Sequence, residues 1–426
     1  MKLIEKILEN SNVRIALEKV ITNKGAAGID GMKVEELRAY MNENWSSIKQ
    51  SILERSYKPA PVRKVAIPKP NGGVRKLGIP TVVDRTVQQS IVQILTSIFE
   101  AEFQENSYGF RPGRSCEQAV LKLLEYLNEG YEWIVDIDLE KFFDNVPQDK
   151  LMSYVGRVIR DPDTESLIRR YLKSGVMENG IYEATELGTP QGGNLSPLLS
   201  NVMLNELDKE LVKRGLRYVR YADDCIIAVG SSASANRVMH TITKWIEQKL
   251  GLKVNATKTH VCRPNKLKYL GFGFYKSTQT RQWSARPHES SVEKFQRKLK
   301  SLCKRSWSIS LTDRIAMLNS VIRGWINYFS IGAMKSRIEK IDEHLRTMLR
   351  KVIWKQWKTP QKRAWGLRKL GIDKDLAKLT SYCGNRYEWV VRKTCVARAI
   401  SKEILTRRGL VSCLDYYTIR HSLKTN

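Results

Sequence analysis

Asp223 and Asp224 stand side by side in RYADDCIIAVG, immediately before the apolar run Cys225–Val229. At a tight turn between two apolar strands, adjacent carboxylates repel one another unless a cation neutralises them. A hard divalent ion with oxygen ligands does so, and Mg²⁺ characteristically takes one or two carboxylates together with substrate phosphates. A third acid on a neighbouring strand would complete a two-ion site. Asp138 in WIVDIDL is the natural candidate. Trp133, Val135, Ile137 and Leu139 alternate onto one face, and Asp136 and Asp138 take the other. Such a site suits in-line displacement at a phosphate, with a 3′ hydroxyl as the activated nucleophile. Asp136 and Asp144 flank Asp138, so position alone leaves the first ligand open.

The elements that must hold these acids are legible around them. Residues 1 to about 60 read as helical, interrupted by the loop NKGAAGIDG at 23–31. PAPVRKVAIPKPNGGVRKLGIP, 59–80, reads as two strands joined at Asn71-Gly72-Gly73. Helical patterns follow at 81–103 and 149–175, and GTPQGGNLSPLLSNVMLNEL, 188–207, is a Gly-rich turn feeding a helix. LRYVRYADDCIIAVG predicts strand, turn and strand, residues 232–250 a helix, and LKVNATKTHV and LKYLGFGFY further strands. Strands and helices mixed in this order predict an α/β or α+β catalytic core up to about residue 276.

Beyond it the character changes. Residues 286–370 hold 21 Lys or Arg against 6 Asp or Glu. Leu318, Val321, Ile322, Trp325, Ile326 and Phe329 form one helical apolar stripe, and Ile341, Leu345, Met348, Leu349 and Val352 a second, with Arg346, Arg350 and Lys355 off that face. This one-sided balance predicts a basic helical domain that binds phosphates. Residues 371–426 form a smaller tail, whose Tyr382, Tyr387, Trp389, Tyr416 and Tyr417 read as core.

The whole chain of 426 residues carries a net charge of +29, which points to a polyanionic partner. Seven scattered Cys without a C-x-x-C argue against a disulfide framework or a Cys-rich zinc site and predict a reducing, cytoplasmic setting. No apolar run is long enough for a bilayer, so no membrane partner is expected. The first residues, MKLIEKILENSN, read as an amphipathic helix and not as a signal peptide.

The order of parts resembles the palm of a reverse transcriptase, with YADD at 221–224 in the form common among bacterial members. NKGAAGIDG, IPKPNGGVRKLGIPTVVDR, SYGFRPGRS, DIDLEKFFDNV, GTPQGGNLSPLLSN, YADD, LKVNATKTH and YLGFGF follow the order of blocks in group II intron-encoded reverse transcriptases. LNSVIRGWINYF and WKQWKTP resemble their maturase thumb, and the short form resembles class C. The resemblance implies an α/β (α+β) right-hand polymerase: an N-terminal extension with a template-lid loop at 1–60, fingers and palm at 61–276, a helical thumb at 286–370 and a nucleic-acid-binding domain at 371–426. It implies an RNA-directed DNA polymerase that binds its intron RNA and assists splicing and mobility. Two Mg²⁺ ions, with Mn²⁺ as an alternative, would be its cofactors. RNA template, DNA primer, deoxynucleoside triphosphates and target DNA would be its other partners.

Residue by residue, Asp138, Asp223 and Asp224 match the catalytic, metal-binding aspartates. Asp138 is preferred because the family places an aromatic five residues on, and Phe143 is there. That aromatic packs where a 2′ hydroxyl would project. Lys69 and Arg75 flank the finger turn and match triphosphate contacts. Gln191 matches the residue beneath the incoming nucleotide, and Lys258 the palm lysine near the leaving pyrophosphate. Gly25, Gly28, Gly31, Arg85, Arg111, Arg114 and Gly271 match template and primer contacts. Five His and no Cys pair occur, so the His-Asn-His endonuclease of longer members is not expected here. Two alternative functions remain: a splicing maturase whose polymerase is secondary, and a reverse transcriptase recruited to repair or defence.

Overall fold

The computed structural model describes residues 2–68, 72–189 and 192–425, without the side chains of Arg75 and Thr425. Lys69 and Gln191, and the side chain of Arg75, lie outside the described residues. The chain forms two compact units, Met1–Arg263 and Pro264–Asn426.

In the first unit, helices Asn10–Thr22 and Val34–Leu53 flank the Gly-rich loop of residues 23–31. Among the described residues eight strands follow: β1 (Val62–Pro68), β2 (Val74–Ile79), β3 (Trp133–Ile137), β4 (Val176–Glu178), β5 (Ile181–Glu183), β6 (Arg217–Tyr221), β7 (Asp224–Val229) and β8 (His260–Cys262). They make two four-stranded sheets, ordered β2-β1-β4-β5 and β6-β7-β3-β8. The first is the finger hairpin, with Val65 opposite Leu77 and Pro68 opposite Val74, extended by β4 and β5. The second is the palm sheet, antiparallel throughout its pairs.

Local sequence explains the boundaries. Thr81 caps the helix Val82–Glu100 by accepting from the Asp84 amide at 3.1 Å. Ser115 and Gln118 form a reciprocal capping box at Cys116–Asn128. Asp161 and Pro162 cap Pro162–Leu172, dividing the helical stretch 149–175 into two. One core joins helices to the palm sheet through Ile91, Leu95, Val135, Leu151, Met203 and Ile227. Each such buried side chain contributes about 1.5–3 kcal/mol relative to exposure.

LKVNATKTHV is less extended than its pattern predicts. Only His260–Cys262 is strand there. The Asn255 side chain accepts from the Thr257 amide at 3.2 Å and its hydroxyl at 2.8 Å, folding residues 255–259 into a turn.

The second unit begins with β9 (Lys268–Tyr269), β10 (Phe272–Lys276) and β11 (Trp283–Pro287), paired in the order β11-β10-β9. These strands cluster with the helices that follow, because Phe272 packs on Phe329 at 4.8 Å and on Tyr328 at 5.9 Å between ring centres. The helices Glu289–Leu302, Leu311–Phe329, Lys335–Gln356 and Pro360–Lys369 form the basic stretch. Leu318, Ile322, Ile326, Ile341, Leu345 and Leu349 are buried, as both stripes predict.

Candidate active site

The register of β3 and β7 gathers the acids. Ile137 pairs with Cys225, so one step further sets Asp138 beside Asp224. β6 and β7 are joined by the two-residue turn Ala222-Asp223, closed by Tyr221 opposite Asp224. Asp136, two residues before Asp138, lies opposite His260 of β8.

The turn 255–259 brackets Asp138. The Asp138 amide donates to Thr259 Oγ1 at 3.1 Å, and its carbonyl accepts from the Asn255 amide at 2.8 Å. Lys258 Nζ reaches Asp138 Oδ2 at 3.2 Å.

Lys258 offsets only part of the cluster's negative charge. The carboxyl of Asp224 is pushed up to about 6 by partial desolvation and by the charges of Asp223, Asp136 and Asp138, opposed by Lys258. Burial, opposed by His260, likewise raises Asp136 to about 6. Among the described residues, no three or more His, Cys, Asp or Glu stand together as a ready-made metal cage. Asp138 is turned onto Lys258, and a Mg²⁺ site that counts on substrate phosphates needs no closed cage. An oxygen-only donor set short of positive charge fits a hard divalent cation.

Phe142 and Phe143 divide their tasks. Phe142 is buried in the core, and half-buried Phe143 lines a cleft of about 220 Å³ with Lys64, Lys76, Gly78 and Thr189. The Thr189 amide donates to the Phe143 carbonyl at 2.7 Å, tying the Gly-rich loop beneath it. A Cβ at Gly188 would stand 2.7 Å from the Phe143 carbonyl oxygen, and one at Gly192 2.4 Å from the Gly78 oxygen. Both positions need glycine for this approach. Lys64 and Lys76 were not singled out by sequence; Glu178 holds them at 2.8 and 3.6 Å. Their alternation along β1 and β2 was the available signal.

Several residues expected at the template are engaged within the protein. Arg85 is buried, donating from Nε to the Pro80 carbonyl at 3.1 Å and from Nη2 to the Ala26 carbonyl. Arg111 is also buried, donating to Glu100, to the Gln104 carbonyl at 2.6 Å and to the Ser107 carbonyl at 2.8 Å. Their forks complete loop carbonyls instead of waiting for phosphate. Arg114 donates to the Glu105 carbonyl at 3.0 Å and lies over Tyr108. Gly25 and Gly28 are packing glycines: a Cβ would come within 2.3 Å of Arg85 Nη1 and 2.6 Å of Thr81 Cα, respectively. Gly31 supplies a turn, with φ of +73°.

Gly271 sits in the second unit with φ of +80°. Its carbonyl accepts from the His288 amide and the Ser291 hydroxyl, both at 2.9 Å. Arg350, predicted to lie off the buried stripe, donates to the Ile400 carbonyl at 2.9 Å, and Arg346 pairs with Asp342. In the tail, Tyr417 is buried as expected, but Tyr382 and Trp389 are 67% and 51% exposed beside a depression of about 1130 Å³. The short helices there are too small to enclose every ring.

Comparison with known proteins agrees with this architecture. Residues 67–274 match the family model described as reverse transcriptase (RNA-dependent DNA polymerase), and residues 292–371 the group II intron, maturase-specific domain. The chain is 32% identical over 304 residues to Protein YkfC of Escherichia coli, covering 62% of this chain and 80% of that protein. It is 38% identical over 213 residues to group II intron-encoded protein LtrA of Lactococcus lactis, covering 50% of this chain and 35% of the relative. An uncharacterized 91 kDa protein in the cob intron of Schizosaccharomyces pombe is 27% identical over 405 residues, covering 76% of this chain and 50% of its own length. The chain thus spans most of the first relative but half or less of the other two.

Proposed function

Since this chain belongs to the family of group II intron-encoded reverse transcriptases, we propose that it copies RNA into DNA at the cluster Asp138, Asp223 and Asp224. The observation that carries this reading is the β3–β7 register, which sets a third acid beside an adjacent pair already short of countercharge. Asp138, Asp223 and Asp224 would hold two Mg²⁺ ions, or Mn²⁺ in their place, and the ions would neutralise charge on the reacting phosphates. A primer 3′ hydroxyl attacks the α-phosphate of a deoxynucleoside triphosphate, the bond to the β-phosphate breaks, and pyrophosphate leaves.

The chain's own groups orient that displacement. Phe143 walls the sugar side of the cleft and excludes a 2′ hydroxyl. Lys258 Nζ, beside Asp138, offers a proton toward the departing pyrophosphate. Lys69, Arg75 and Gln191 take their roles at the triphosphate and base from the family resemblance. Gly271, on its carbonyl-anchored turn, would lie against the primer, and Arg114 near the template.

The maturase-specific match at 292–371 favours a second role, binding the parent intron RNA to assist splicing and mobility. Template, primer and target DNA are the other proposed partners. No helix among the described residues is long and apolar enough to cross a membrane.

The test is primer extension on an RNA template with Mg²⁺ and deoxynucleotides, comparing wild type with Asp223→Ala. Extension lost in the mutant, with RNA binding intact, supports the polymerase. Folded, RNA-binding wild type that never extends a primer moves the assignment to the splicing role.

A further inference from the structure

The strand that delivers the acid pair carries a cation on its buried side. Arg220 is fully enclosed, and so are Asp208 and Ser107. Asn201, at 1% exposure, completes the set. Arg220 Nε donates to Asp208 Oδ1 at 2.8 Å and Nη2 to Asp208 Oδ2 at 2.5 Å. Nη2 also donates to Ser107 Oγ at 2.7 Å. Nη1 donates to Asn201 Oδ1 at 3.0 Å and to the Ala222 carbonyl at 2.8 Å. A guanidinium has five N–H donors, and here each has an acceptor.

One of those acceptors belongs to the catalytic turn. Ala222 has a φ of +56°, a left-handed conformation that costs a residue with a Cβ roughly 1–2 kcal/mol. The turn is also held from the side. The Arg220 amide donates to the Asn106 carbonyl at 2.9 Å, and the Tyr108 amide to the Arg220 carbonyl at 2.8 Å. Asn201 Nδ2 donates to the Gly109 carbonyl at 2.7 Å, and a Cβ at Gly109 would stand 2.2 Å from the Ala222 nitrogen.

Stability alone does not account for this pair. Enclosing two charges carries a desolvation penalty, and a well-packed apolar pair often serves a fold equally well. What apolar side chains cannot do is hold a carbonyl at a fixed point. We infer that Arg220, oriented by Asp208 and Asn201, is a positioning residue for polymerisation: by holding the Ala222 carbonyl it sets where the Asp223 and Asp224 carboxylates stand. This rests on the polymerase reading above.

The test uses the full chain with two variants. Arg220→Met combined with Asp208→Leu removes both buried charges, so neither is left unpaired. Arg220→Lys keeps the charge opposite Asp208 but lacks the fork that reaches Ala222. Melting curves establish folding, hydrogen exchange of a peptide spanning 218–226 reports the turn, Mn²⁺ binding by electron paramagnetic resonance reports the acids, and single-nucleotide incorporation gives kcat and KM. The expected result is a folded protein with faster exchange in that peptide, weaker Mn²⁺ binding, nearly unchanged KM and kcat lower by ~10²-fold, the loss associated with misplacement of about 1 Å. A folded variant with wild-type exchange, Mn²⁺ binding and kcat overturns the inference. Should the double variant not fold, the lysine variant decides by the same readouts. Absence of extension by wild type is a separate result, which sinks the polymerase reading itself.

Discussion

Lys258 Nζ lies 3.2 Å from Asp138 Oδ2, on the turn whose backbone also brackets Asp138. The lysine therefore meets the acid that a cation would need and, in the proposed reaction, the pyrophosphate that leaves. Lys258→Ala separates these effects. Freed from its partner, Asp138 should accept the cation more readily, but an exposed pair of this kind is worth only ~0.2–1 kcal/mol, so the Mg²⁺ requirement should fall by less than ~5-fold. Loss of the proton donor should lower kcat by ~10²-fold. A Mg²⁺ titration of single-nucleotide incorporation reads both, and an unchanged kcat removes Lys258 from the chemistry.

Partial desolvation and then Asp223 raise the Asp224 carboxyl to about 6, and Asp136 adds to that rise. At limiting Mg²⁺, where protons compete with the cation, activity that needs this carboxylate ionised should rise with pH through about 6. Asp136→Asn removes a neighbouring negative charge and should move that acid limb to lower pH. Stability runs the other way. Both folded-state values lie above the ordinary 3.8, so the folded state holds the extra protons. Their contribution to stability is present below about 4 and is lost as pH rises through about 6. A pH–rate profile and metal-free melting curves check the two signs; a limb unmoved in Asp136→Asn counts against the coupling.

Phe143 should govern sugar choice, since it lines the cleft while Phe142 fills the core. Phe143→Ala is expected to raise ribonucleotide incorporation relative to deoxynucleotide by ~10–200-fold, the range that a single steric contact supplies. Steady-state incorporation of matched nucleotide pairs measures it. Unaltered selectivity would place the ring in a purely structural role.

Gly109 touches the Ala222-Asp223 turn from outside it. Gly109→Ala forces either Ala222 or the 106–109 segment to move, because the new methyl would meet the Ala222 nitrogen at 2.2 Å. Overpacking of this kind typically costs ~1–3 kcal/mol. Urea unfolding should show that loss, and primer extension should fall further than RNA binding does. Full activity in this variant means the contact relaxes without disturbing the acids.

Arg111 distinguishes structural from nucleic-acid-binding cations. Arg111→Met should destabilise the first unit by ~1–3 kcal/mol, through the unsatisfied carbonyls of Gln104 and Ser107. The salt dependence of single-stranded RNA binding should not change, whereas loss of a phosphate contact would lower its slope by ~0.7. A lowered slope would restore Arg111 to the nucleic-acid interface.

Much of this was legible in sequence because it is periodic or local. The alternation in WIVDIDL, the turn between the two strands of LRYVRYADDCIIAVG and the stripes through Leu318 and Leu345 all follow from neighbours a few residues apart. Composition alone sets the basic character of residues 286–370. Arg220 left a fainter trace, a charge on the strand face shared with buried Tyr218.

The sequence by itself thus determined most of the elements, the acids and the polyanionic partner. The helix Cys116–Asn128 was not among those elements, and the short strands β4 and β5 left no periodicity long enough to read. Only the tertiary structure decided which cations were still available for that partner. Arg85, Arg111, Arg220 and Arg350 look alike in a charge count, yet each guanidinium is committed to acceptors inside the protein. An arginine's role depends on which oxygen acceptors surround its five donors, and those come from segments as far as 113 residues away, as Ser107 does for Arg220.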